Sequence, residues 1–384
     1  MINNLITTHK IQTALLLAIT LVSGIGKADA QELPDPIAAG RFAIAGFGDV
    51  TYEESDLQDS SAFSTNFVPI FLFRLSPKLH IEAELEISLN EAGETEEELE
   101  YADVHYFLND TSTLTAGKFL LPFGQFSPNL HPSWINRTPW TPGIYGAHGS
   151  SQAMTALLPV LSDVGVAYQK IFAFNSRQKI FLDVYYTNGA RAEPEGHDEE
   201  EEVETGLEEH VDELPEVEFE ATSGDNNKDK AVGGRIAYAF LPGIELGASY
   251  YQASYDDAGS LDISAKGLDL NYFSDHFILR GEYIETETEG LEEEEGSIEI
   301  HNFKRDGWYL QGTFHLGSLF SGLNGTDFVV ERAKVNKLEE ASRWVYGFNY
   351  WLDARSVIKV AYEKTDVFVG EDDKRFAVQF SYGF

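Results

Sequence analysis

The chain has 384 residues, 27 of them basic and 64 acidic, and a formal net charge of −37. A surface this acidic repels phosphate backbones, which argues against a nucleic-acid partner. The absence of cysteine excludes a disulfide framework, a thiolate metal site and a cysteine nucleophile. A hydrophobic fraction of 43 % is too high for a disordered chain. The 18 Tyr, 26 Phe and 33 Gly, set against 2 Met, favour strands and turns over helices. Residues 1–30 read as an export signal that is cleaved. Lys10 closes a short n-region, Ile11–Val22 is apolar, and Ala28-Asp29-Ala30 fits the small-x-small cleavage pattern. The mature chain, 31–384, holds no further run of the roughly 20 apolar residues a membrane helix needs. If it enters a membrane, it does so as a closed barrel.

From there to the end the pattern has period two. Ile81, Ala83, Leu85 and Ile87 alternate with Glu82, Glu84, Glu86 and Ser88. Ile180, Leu182, Val184 and Tyr186 alternate with Phe181, Asp183 and Tyr185, and Ile244, Leu246, Ala248 and Tyr250 alternate with Glu245, Gly247 and Ser249. The last strand is the clearest: Phe376, Val378, Phe380, Tyr382 and Phe384 alternate with Arg375, Ala377, Gln379, Ser381 and Gly383. One face suits lipid and the other a lumen. The whole pattern predicts sixteen strands, starting near residues 41, 65, 79, 98, 112, 163, 178, 231, 244, 261, 276, 306, 327, 342, 356 and 374. The fold class is therefore all-β, a transmembrane antiparallel barrel with an even strand number.

Connection length supports this reading. Even-numbered gaps such as Ser76-Pro-Lys78, Asn109-Asp-Thr111, Leu241-Pro-Gly243 and Asp353-Ala-Arg355 are short. Odd-numbered gaps are longer and hold acidic runs, at Glu53–Asp59, Glu91–Glu97, Arg191–Lys230 and Glu285–Glu299. Outer-membrane barrels sort their turns and loops in this way. The third gap, 124–162, differs: it is low in charge and contains Pro128, Pro132, Pro139, Pro142 and Pro159. Its candidate constriction residues are His131, Trp134, Arg137, Trp140, Tyr145 and His148.

Charge on the lipid face costs about 2–4 kcal/mol near the bilayer midplane, so strand charges are assigned to the lumen. Candidate pore-lining residues are Glu82, Glu84, Glu86, Asp103, Asp183, Arg235, Arg280, Glu282, Lys359, Glu363 and Arg375. Glu245, Glu331, Lys179 and Arg343 share that face. The excess of acids predicts cation preference, because rings of side-chain charge set pore selectivity. The insertion 191–230 carries two His among its carboxylates, so His197, Asp198, His210 and Asp212 are a weak candidate site for divalent cations. Its like charges equally fit a solvated fringe that enriches cations by its field. No cofactor is expected. G-x-S-x-G, H-E-x-x-H, Walker A and G-x-G-x-x-G are absent, so no enzymatic activity is expected. His105 and Asp103 share a face, but two positions apart they do not by themselves make a base and its orienting acid.

The aromatic last strand ending in Phe384 resembles the assembly signal of bacterial outer-membrane barrels, with Phe376, Phe380, Tyr382 and Phe384 as its residues. More broadly, the chain resembles the outer-membrane porin superfamily. Leu114-Thr-Ala-Gly-Lys-Phe-Leu-Leu-Pro-Phe-Gly124, Gly307-Trp-Tyr-Leu-Gln-Gly312, Phe328-Val-Val-Glu-Arg332, Tyr346-Gly-Phe-Asn-Tyr350 and Val357–Tyr362 look closest to phosphate-selective porin O/P-like and LbtU-like siderophore porins. The resemblance implies a homotrimer in the outer membrane that meets lipid, lipopolysaccharide and the barrel assembly machinery and passes small solutes. The phosphate-selective branch also implies a ladder of Arg and Lys, from which this acidic chain departs. The expected function is a passive, cation-preferring pore for small hydrophilic solutes. The alternatives are a porin dedicated to a ferric siderophore or divalent metal, and a barrel whose acidic loops serve surface binding.

Overall fold

The computed structural model describes residues 41–89, 93–146, 154–192, 215–219, 224–294, 297–338 and 340–384. The export signal 1–30 lies outside the described residues, as do His148, His197, Asp198, His210 and Asp212. Sixteen antiparallel strands form one closed barrel. They are β1 (Phe42–Ser55), β2 (Ser60–Ser76), β3 (Leu79–Leu89), β4 (Thr95–Asn109), β5 (Ser112–Leu120), β6 (Ser162–Ala173), β7 (Lys179–Thr187) and β8 (Ala231–Leu241). β9 (Ile244–Ser254), β10 (Asp262–Phe273), β11 (Phe277–Glu294), β12 (Ser297–His315), β13 (Thr326–Asn336), β14 (Ala341–Trp351), β15 (Ser356–Val367) and β16 (Asp373–Gly383) complete it. Each strand pairs with the next in sequence, and β16 returns to β1 from Gly383↔Phe47 to Arg375↔Ser55.

Alternation decides which side chains face inward. In β16, Asp373, Arg375, Ala377, Gln379 and Ser381 are buried while Phe376 and Phe380 are exposed. In β13, Asp327, Val329, Glu331, Ala333 and Val335 are the buried set. Outside lies an apolar surface that includes Ile44, Val50, Val166, Leu268 and Phe348, the face a lipid bilayer requires. Phe277, Phe314, Phe328 and Phe348 follow one another around the short-turn end, with ring centroids 5.2–6.4 Å apart. That places an aromatic girdle where hydrocarbon meets headgroups.

The seam is closed by the last residue. Phe384 N–H donates to the Gly46 carbonyl (2.9 Å) and Gly46 N–H donates to the Phe384 carbonyl (3.2 Å). A Cβ at Gly46 would lie 2.3 Å from the Val68 carbonyl oxygen, so the β1–β2 approach at the seam requires glycine.

Two expectations about the rim are corrected. The acidic stretch 285–299 belongs to strands and not to a loop: β11 and β12 pair from Phe277↔Phe314 to Glu294↔Ser297. β10 follows β11 only to Thr288, and β13 follows β12 only from Asp306, so a two-stranded hairpin rises above the wall. Cross-strand pairing supplies what Glu content disfavours, as between Lys304 and Glu287 (3.0 Å). Similarly, β2 begins at Ser60 and β4 at Thr95, which shortens the first two outer connections. The contrast between the two ends of the barrel therefore rests mainly on the third and fourth outer connections, 121–161 and 188–230.

Candidate functional site

The third outer connection, 121–161, turns into the barrel. Its ends are pinned together by Leu121 N–H donating to the Leu161 carbonyl (2.8 Å). Gly124, at φ +63°, makes the inward corner after Pro122-Phe123. A Cβ there would collide with the Glu282 carboxylate at 2.1 Å. A single helical turn, Phe126–Asn129, follows.

Glu282 of β11 anchors this corner. One of its oxygens, Oε1, accepts from the N–H groups of Gln125 (3.2 Å) and Phe126 (2.6 Å) and from the Tyr309 hydroxyl (3.0 Å). The other accepts from the Tyr145 hydroxyl (2.7 Å). One buried carboxylate thus serves four donors, three of them on the loop.

Beyond the corner, the loop's carbonyls have few ladder partners of their own, because its prolines prevent regular structure. The opposite wall satisfies them with donors. Arg343 Nη2 reaches the Thr141 carbonyl (2.6 Å), and Asn349 reaches that of Arg137 (2.9 Å). Arg305 holds the carbonyls of Thr155 (2.9 Å) and Ala156 (3.0 Å). Lys359 Nζ binds those of Ser133 and Thr138, and Arg280 approaches that of Ile135 at 3.5 Å.

Inward acids pair with Arg343 and with two further bases, Arg375 and Arg235. Arg343 meets Glu331 (2.6 Å) and Glu363 (3.3 Å). Arg375 meets Glu363 (3.0 Å) and Glu53 (3.2 Å) and lies 4.9 Å from the centroid of the Trp140 ring. Arg235 is held by Asp269 (2.5 Å) and Glu245 (2.9 Å). Asp183 accepts from Gln169 (2.8 Å).

A cavity of about 950 Å³ lies between the loop and the wall β1–β4, and reaches Ile263, Thr286 and Phe303 on the far side. Its barrel side carries Asp49, Glu53, Glu84, Glu86, Glu96, Glu98 and Glu100, and its loop side Phe126, Trp140, Leu157 and Val160. His131 and Arg305 are the only basic residues that line it. His131 lies 3.9 Å from Glu84. Toward the short-turn end the loop packs on the wall through an apolar cluster of Phe47, Val68, Ile70 and Tyr101, joined by Trp134.

The structure therefore divides the residues singled out from sequence. Glu84, Glu86, His131 and Trp140 meet at the cavity. Arg235, Arg280, Glu282, Lys359, Glu363 and Arg375 are buried inside the barrel but engaged with the loop or with one another. Arg137 and Tyr145 also point away from the cavity. Arg137 packs at 5.1 Å over Trp351 and 3.8 Å from Asp327, while Tyr145 is wholly buried on Glu282. Glu82 and Asp103 face each other across β3 and β4 below the cavity. There Asp103 binds His105 Nε2 (2.8 Å), whose Nδ1 lies 2.9 Å from the Thr115 hydroxyl. The two residues, placed on one face from the sequence, are thus in contact. They lie outside the cavity lining.

Sequence reasoning missed Asp49, Glu53, Glu96, Glu98 and Glu100 as lumen residues. The cause on β4 is a bulge. The β3–β4 ladder runs Glu84↔Tyr101 and then Leu85↔Leu99, skipping Glu100. Inward parity changes there from odd to even, which strict alternation cannot anticipate.

No protein-family model matches the sequence, and no curated protein matches it. Solved structures do. OmpF of Salmonella typhi, solved with daunomycin, shares 14 % identity at a TM-score of 0.54, covering 89 % of this chain and 97 % of that one. An anion-selective porin from Comamonas acidovorans shares 12 % at 0.53, covering 89 % and 99 %. The outer membrane channel DcaP of Acinetobacter baumannii shares 10 % at 0.52, covering 89 % and 97 %. At such identities the likeness is one of fold, and the chain has the sixteen-strand barrel of outer-membrane porins.

Proposed function

We propose that the protein is an outer-membrane porin that passes small hydrophilic solutes and prefers cations. One observation carries the selectivity: the separation of charge inside the barrel. The inward bases Arg280, Arg305, Arg343 and Lys359 are held by loop carbonyls, and Arg235 and Arg375 by carboxylates. Seven carboxylates, against Arg305 and His131, line the cavity. A permeating ion therefore meets a lining in which acids outnumber bases, and such charge sets channel selectivity. The acidic outer loops add to it by enriching cations at the mouth.

The same arrangement argues against the phosphate-selective O/P-like branch, because the bases a phosphate ladder would need already have partners. That one neighbour of the same fold is an anion-selective porin underlines that side chains, not the barrel, decide the sign. A homotrimer is the proposed assembly, since a related barrel, OmpT of Vibrio cholerae, has a trimer form. The proposal includes contacts with lipid and lipopolysaccharide outside and recognition of the last strand by the assembly machinery.

A second reading, a solute-dedicated porin of the LbtU-like kind, is favoured by the apolar cluster of Phe47, Val68, Ile70, Tyr101 and Trp134. The test is reversal potential in planar bilayers under a KCl gradient. A cation-selective ohmic current supports the general pore. Cation selectivity with very small conductance, raised strongly by Trp134→Ala, supports the dedicated one.

A further inference from the structure

We propose that the cavity between the inner loop and the β1–β4 wall is a binding site for organic cations that carry an apolar body, the class typified by arylalkylammonium ions. The proposal rests on the cation path argued above and names the solute suited to it.

Three features converge on this class. The barrel wall presents Glu84, Glu86, Glu98 and Glu100 to the cavity. The facing loop wall has an apolar part, formed by Phe126, Pro139, Trp140, Leu157, Pro159 and Val160, beside polar groups such as Ser133 and Asn136. The inner end carries the apolar cluster of Phe47, Val68, Ile70 and Tyr101 with Trp134.

A hydrated inorganic cation gains from the first wall alone. A neutral apolar solute gains from the second wall alone. An arylalkylammonium ion uses both. Its nitrogen faces the carboxylates, while its ring leaves water against the apolar part of the loop wall. The volume of about 950 Å³ is at the upper end of pockets that enclose small organic ligands.

The test is calorimetric titration of the folded protein in detergent with phenethylammonium, methylammonium and phenylacetate, with reversal potentials measured on the same preparation. Phenethylammonium should bind at least about tenfold more tightly than methylammonium, the effect of burying one aromatic ring. Phenylacetate should not bind. The double variant Glu98→Gln, Glu100→Gln should weaken phenethylammonium about tenfold or more. Glu98 is half exposed, so the single Glu98→Gln variant, weakened in the same direction, serves where the double variant does not fold. Equal affinity for the two ammonium ions, or binding of phenylacetate, would overturn the proposal. If the channel is still cation-selective, the cation path survives without it. An anion-selective current would overturn the cation path itself.

Discussion

Glu282 shows how one inward charge sets the shape of the lumen. Its carboxylate accepts from Gln125 N–H, Phe126 N–H, Tyr145 and Tyr309, all inside the barrel. Glu282→Gln keeps the size but puts an NH₂ group against donors. It should cost about 1.5–3 kcal/mol, the range for hydrogen bonds to a charged group. The cost should appear as a lower temperature for the heat-induced mobility shift in gels and as larger, noisier single-channel currents. Arg343 makes a stronger case, because its guanidinium is fully buried between Glu331, Glu363 and the Thr141 carbonyl. Arg343→Ala leaves two buried carboxylates short of their partner and should destabilise the barrel by about 3–5 kcal/mol. Arg343→Ala together with Glu331→Gln should recover part of that loss in the same assay. Without such recovery, the buried pair would not be what holds this part of the loop.

At the scale of elements, strands were legible where one face meets lipid. β16 could be read residue by residue, because Phe376, Phe380 and Tyr382 alternate with Arg375, Gln379 and Ser381 without a break. The sequence pattern starts β12 nine residues late, since Glu292–Glu294 and Glu299 look like a solvated loop although they sit in a hairpin that only cross-strand pairing reveals. The acidic wall was half legible. Glu82, Glu84 and Glu86 keep parity, whereas Glu96 and Glu98 lie beyond the bulge at Glu100. The inward loop was foreshadowed by its prolines and low charge, but the donors that hold it come from strands more than 140 residues away, as for Arg305 and Thr155. No local pattern encodes such partners. Removing the acidic insertion 193–214 should leave conductance at 1 M KCl within about a factor of two and reduce cation selectivity at 0.01 M. Screening lengths are about 3 Å and 30 Å in those conditions. An equal loss at both salts would show that the insertion shapes the pore and does not merely charge its mouth. Deleting Phe384, which closes the β16–β1 seam at Gly46, should lower the yield of assembled barrel, read as the heat-modifiable fraction in membranes.

The whole molecule combines an apolar outer surface, a barrel closed by neighbours in sequence, and a lumen whose charges are sorted by the loop that crosses it. Most inward bases support the loop or pair with acids, and seven carboxylates line the cavity. The proposed selectivity rests on that division and not on net charge alone. The most direct measurement is the reversal potential of single channels under a tenfold KCl gradient, made in parallel on the wild type and on the variant with Glu84, Glu86, Glu98 and Glu100 all changed to Gln. The account predicts clear cation selectivity that falls toward zero in the variant while the folded barrel persists. Anion selectivity in the wild type, or unchanged selectivity in the variant, would contradict it.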